Sequence, residues 1–231
     1  MSRLQPIHAV VLCGWLVATV SWFCGGPLHA ADKVPIPSAD DRSAASALVK
    51  DVYGEEHAKA ANSEQKAALA QKLLQAAKGI HSGTANQYEL LRTAWDLATQ
   101  AGDATLAIQI TDEIAGVFAV DAPSAKLATL KTTDKSARTL SQRAALATVA
   151  LRLADDAAGG DDYDRAREFA SIGLDVARKA RDGDLVKRIV AREKQFKEAA
   201  GTHAKAQVAL ATLKDDPANP AANQAAGEYY C

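Results

Sequence analysis

GGDDYDRAREFASIGLDVARKARDGDLVKRIVARE, residues Gly159 to Glu193, reads as two helices joined at Asp182-Gly183. Placed at ~100° per residue, the helix from Tyr163 to Ala180 puts Ala166, Ala170, Gly173, Ala177 and Ala180 in one narrow ridge. Phe169, Ile172 and Val176 flank that ridge on one side, and Tyr163 and Leu174 on the other. The apolar arc is about 200° wide, well beyond the stripe of ~100° that a surface helix needs. Such a helix must touch two neighbours, and its small-residue ridge lets one of them come close. That is the pattern of an inner helix in a stack of helices.

The rest of the composition agrees. Of 231 residues, 48% are apolar, which is enough for a core, but 51 are Ala against four Phe, three Trp and one Met. Burial must therefore come from many close helix contacts, and Ala is the best helix former because it loses no side-chain entropy. Pro numbers seven, several of them near the two ends. An all-α fold is expected.

The first thirty residues differ physically from the remainder of the chain. MSRLQP is a short basic start, IHAVVLCGWLVATVSWFC is an apolar run, and GGPLHA ends in small residues. This is a secretory signal pattern, with cleavage expected between Ala30 and Ala31. The run is shorter than the ~20 residues of a usual spanning helix. Leu28 at the third position before the cut keeps open an uncleaved, single-pass membrane anchor. Trp22 and Phe23 stand before Cys24 where a lipoprotein would want small residues. Removing Arg3 and no acid shifts the formal net charge from −1 to −2, so no nucleic-acid partner is implied. Cleavage also leaves Cys231 as the one cysteine and Trp95 as the one tryptophan. No internal disulfide framework is then expected.

Residues 31–40, with two prolines one residue apart, read as an extended linker. Helices then follow from about Asp41 to the end. The first runs to Tyr53, where Gly54 weakens it, and EEHAKAA can carry it onward. Asn62 with Gln65, Thr84 with Gln87, and Thr139 with Gln142 are three capping boxes, each opening a helix. Gly102-Asp103 stops one helix, and Gly159-Gly160 closes another. Pro123 suits the first turn of a short helix ending near Lys131, and polar Thr132 to Arg138 reads as a mobile connection. The second helix of the opening pair can continue to Leu213, although Gly201 costs about 1 kcal/mol there and is the place for a bend or break. A final helix from PANPAANQAAGEYYC has no partner in the sequence to pair with.

Ala226-Gly227 with Tyr230, the set Ala94, Ala98, Gly102 and Ala107, and the set Ala166, Ala170 and Gly173 resemble the small-residue positions of tetratricopeptide-type (TPR-like) repeats. The resemblance covers roughly Asp41 to Cys231. It implies stacked antiparallel helix pairs, a TPR-like α-solenoid of the irregular kind found in exported bacterial proteins. Two departures stand: Asn223 sits where Trp is usual, and Gly102 and Gly160 are not separated by a multiple of the ~34-residue period.

Chemistry is thinly signalled. His57, His81 and His203 have no His or Cys at helical ligand spacing, so no metal site is expected. Asp161, Asp162 and Asp164 lack the Gly and distal Glu of a calcium loop and read as a helix cap. Tyr88 and Trp95, seven residues apart on one helix face, are either core packing or a partner-binding stripe. The expectation is an exported, periplasmic or extracellular, non-enzymatic scaffold for an unknown protein partner, with no cofactor. The alternative is the amino-terminal helical spacer of a larger secreted enzyme or carbohydrate-binding protein.

Overall fold

The computed structural model describes residues 33–80 and 83–230. The expected export signal with its Ala30–Ala31 junction, His81 and Cys231 lie outside the described residues. Within them the protein is all-helical, with nine helices packed in consecutive antiparallel pairs. They are α1 (Ala39–Lys59), α2 (Ser63–Lys78), α3 (Ala85–Ala101), α4 (Ala104–Val117), α5 (Ala122–Ser136), α6 (Leu140–Gly159), α7 (Tyr163–Ala180), α8 (Gly183–Asp215) and α9 (Pro220–Tyr230).

From α1 to α6, each helix also touches the helix two places along. α1 meets α3, α3 meets α5, and α5 meets α7; α2 meets α4, α4 meets α6, and α6 meets α8. Ion pairs mark three of these contacts: Lys78–Glu113 at 3.3 Å, Lys179–Asp134 at 2.6 Å, and Arg192–Asp155 at 2.6 Å. At largely exposed positions such pairs add ~0–1 kcal/mol each, so apolar burial carries the stack. That burial falls into two clusters that meet on α4. Leu106, Ala107 and Ile110 belong with α1, α2 and α3, whereas Ala104 and Ile108 belong with α5 to α8.

α7 occupies the place its ridge requires. Ala166, Ala170, Gly173 and Ala177 are buried, as are Phe169 and Val176. A Cβ on Gly173 would lie 3.3 Å from Ala150 Cβ and 3.4 Å from the Ala147 carbonyl oxygen on α6, and 3.5 Å from Ile189 on α8. The helix thus has two neighbours, and the bare glycine lets α6 approach.

The capping boxes at Asn62–Gln65 and Thr139–Gln142 form as the sequence indicates. At the third, Thr84 accepts from the Gln87 amide, but Gln87 Oε1 reaches the Gly83 amide at 3.0 Å. Two helices continue where the sequence leaves the matter open. α1 runs through Gly54 to Lys59, and α8 runs unbroken through Gly201 for 33 residues. Neither glycine meets a conflicting neighbour, so each adds only a helix-propensity cost of about 1 kcal/mol.

The mobile connection at Thr132 to Arg138 is instead the last turn of α5 and its cap. Thr133 is fully buried because its hydroxyl donates to the Thr129 carbonyl at 2.8 Å, leaving a methyl to pack. The linker is not free at residues 33–38. The Val34 amide donates to the Val117 carbonyl at 2.9 Å, and the Ala119 amide donates to the Val34 carbonyl at 2.8 Å. Ser38 then caps α1, which opens at Ala39. Finally, α9 does have a neighbour: it lies along the distal part of α8, where Ala206, Ala209 and Ala222 are buried.

Candidate functional site

The best-formed depression lies between α1 and α3, with α2 beneath it. Val49, Leu69 and Leu73 are buried in its floor, Tyr53 forms one wall, and Ser46, Lys50, His57, Thr93 and Asp96 provide polar groups, around a volume of about 340 Å³. Helical spacing explains the α1 side: Ser46, Val49, Lys50, Tyr53 and His57 recur every three or four residues and share a face. Gly54 leaves that face low, since nothing but the Lys50 side chain comes within 4 Å of where its Cβ would be.

Glu89, 2% exposed, accepts a 3.0 Å hydrogen bond from Arg92 Nε. Burial pushes the Asp96 carboxyl above its ordinary value, while the positive charge of Arg92 and then of His57 pulls it back. Lys72 lies 5.6 Å from the Tyr53 ring centroid and 2.7 Å from Glu56, so the tyrosine wall is braced from the α2 side. A second depression lies between α5 and α7, lined by Leu127, Lys131, Asp164, Arg167, Glu168, Ser171 and Ile172. An apolar floor with mixed charges at the edge can hold an amphipathic peptide segment.

Tyr88 and Trp95 lie elsewhere on α3, both partly buried against the first core cluster. Tyr88 meets Phe118 edge-on with ring centroids 5.0 Å apart. Trp95 Nε1 donates to Thr129 Oγ1 at 2.9 Å, and Thr129 Oγ1 lies 2.8 Å from Thr111 Oγ1. The indole therefore closes a polar node joining α3, α4 and α5, with Thr111 and Thr129 buried. The α1 side of the groove was not singled out in the sequence; its signal was the periodicity of Ser46, Val49, Lys50, Tyr53 and His57.

The acidic trio separates into distinct jobs. Asp162 caps α7 by accepting from the Arg165 amide at 3.0 Å, Asp164 pairs with Arg167 at 2.9 Å, and Asp161 faces two tyrosines. Among the described residues no three His, Cys, Asp or Glu side chains gather into a metal-binding group. No helix among them is long and apolar enough to cross a membrane. No family model matches the chain, and neither the curated proteins nor the solved structures provide a match.

Proposed function

We propose that this chain is a non-enzymatic, TPR-like α-solenoid scaffold that holds an amphipathic segment of a partner protein in the groove between α1 and α3. The observation that carries this reading is the contact pattern in which α1, α3, α5 and α7 touch in series and α2, α4, α6 and α8 touch in series. Two such layers are how helix pairs stack in solenoids, whose working surface is the face lined by one layer. Both the α1–α3 and the α5–α7 depressions involve the same layer. The helices of that layer begin at Ala39, Ala85, Ala122 and Tyr163, intervals too uneven for a strict ~34-residue repeat, so the repeat proposed here is an irregular one.

The basic start, apolar run and small residues of positions 1–30 support export across the cytoplasmic membrane. A pull-down from an envelope fraction tests the scaffold. The expected result is a partner retained by the wild-type chain and lost when Lys50→Glu and Asp96→Lys are introduced together at the groove. Equal recovery by both proteins, or none by either, would count against the groove. Mass spectrometry of the amino terminus tests export, with a mature start at Ala31 expected.

A further inference from the structure

Three oxygens, two from residues of the α6–α7 turn and one from α9, converge at the corner between α6 and α7. Asp161 Oδ1 accepts hydrogen bonds from the Tyr229 hydroxyl and, at 3.3 Å, from the Tyr163 hydroxyl. The two phenol oxygens are 2.8 Å apart. Asp161 takes a left-handed backbone conformation (φ 62°), Tyr163 opens α7, and Tyr229 comes from α9. The His203 ring of α8 sits against both phenols, its centroid 5.6 Å from the Tyr163 ring and 5.1 Å from the Tyr229 ring. His203 Nε2 is 2.9 Å from the Gln207 amide nitrogen. Asp161 is exposed and the tyrosines are only partly covered, so the three oxygens can be reached from solvent.

Carboxylate and phenolate are hard oxygen donors, and the trio contains no sulfur. Such donors select hard, highly charged cations over soft ones. With both phenols ionised the three groups carry three negative charges, which would balance a trivalent ion. We propose that Asp161, Tyr163 and Tyr229 form a binding site for a hard trivalent cation of the ferric type. On binding, the Asp161 carboxylate shares an oxygen lone pair with the ion. Each phenol releases its proton to solvent as its oxygen–metal bond forms, and no electron is transferred. Water completes the coordination. The site shares no residue with the α1–α3 groove, and its fate is separate from that of the scaffold reading.

The test is titration of the full chain with ferric nitrilotriacetate, read by visible absorption, and in parallel with gallium(III) nitrilotriacetate, read by the ultraviolet tyrosinate difference. A phenolate-to-iron charge-transfer band saturating at one equivalent is expected, with a matching gallium difference spectrum. Tyr163→Phe and Tyr229→Phe, which keep the rings, should each lose intensity or shift the band, and the double variant should lose it. Tyr53→Phe, in the distant groove, should leave it intact. Circular dichroism establishes that each variant retains its helices. Absence of the band at saturating ferric nitrilotriacetate, or its persistence in the folded double variant, overturns the site.

Discussion

The side-chain amide of Gln142 donates a 2.8 Å hydrogen bond to the carbonyl oxygen of Ala101, the last residue of α3. The same side chain accepts from the Arg138 and Thr139 amides with Oε1, so one residue starts α6 and finishes α3. Gly102 makes room for it: the chain there has φ 73°, and a Cβ would stand 2.9 Å from Gln142 Nε2. Gln87 repeats the arrangement, with Oε1 on the Gly83 amide and Nε2 donating to the Ala77 carbonyl of α2 at 3.2 Å.

Gln142→Glu separates these two duties. The carboxylate can still accept from the Arg138 and Thr139 amides but has no N–H to offer Ala101. Loss of that bond, with a carboxylate brought against a carbonyl, should cost ~1–3 kcal/mol in urea unfolding. A variant as stable as the wild type would show that the α3 tie contributes nothing.

Thr129→Val keeps shape but removes the hydroxyl that receives the Trp95 indole N–H and faces Thr111. An indole donor left without its partner should lower stability by ~1–3 kcal/mol. Trp95→Phe removes the donor as well, so the double variant should lose less than the sum of the singles. A double-mutant cycle in denaturant measures this, and strict additivity would contradict the bond.

Gly173→Leu places a branched side chain where Ala150 Cβ is 3.3 Å from a bare Cβ position. Overpacking of this kind costs ~1–3 kcal/mol or more. Gly173→Ala should be milder, because its gain in helix propensity of ~1 kcal/mol offsets a contact that needs only a small shift. Thermal melts of the pair should therefore rank Leu well below Ala.

Asp96→Asn bears on pH. Because burial raises the Asp96 carboxyl, the folded protein holds its proton at a higher pH than the unfolded chain does. Its contribution to stability is therefore most favourable below the unfolded carboxylate value and is lost as pH rises through the folded one. Asparagine carries no such charge. The variant should gain stability relative to wild type at neutral pH, and the difference should shrink on acidification through the carboxylate range. Melting curves across that range that stay parallel would refute the sign.

What sequence periodicity conveyed, it conveyed for local reasons. The ridge Ala166, Ala170, Gly173 and Ala177 and the caps at Asn62, Thr84 and Thr139 are set by residues within one or two turns. Thr133 misled because its hydroxyl can return to a carbonyl four residues back, which makes a polar residue buriable inside a helix. Val34 misled for the opposite reason, since its two backbone bonds are to Val117 and Ala119, far along the chain. The second hydrogen bonds of Gln87 and Gln142, and the meeting of Asp161 with Tyr229, likewise depend on which helices become neighbours. A capping box announces the first bond of its glutamine and is silent about the second.

The contact of Tyr163, His203 and Tyr229 also has a mechanical meaning. α8 extends from His203 to Asp215, about 18 Å further at 1.5 Å per residue, before α9 turns back. The arm they form projects past the level of the Tyr163 ring and carries no large side chain among its buried residues, only Ala206, Ala209 and Ala222. The aromatic contact thus braces the root of a stiff arm. A tilt of about 10° there would sweep the far end through roughly 3 Å, converting a change of atomic size at one corner into movement of a whole hairpin.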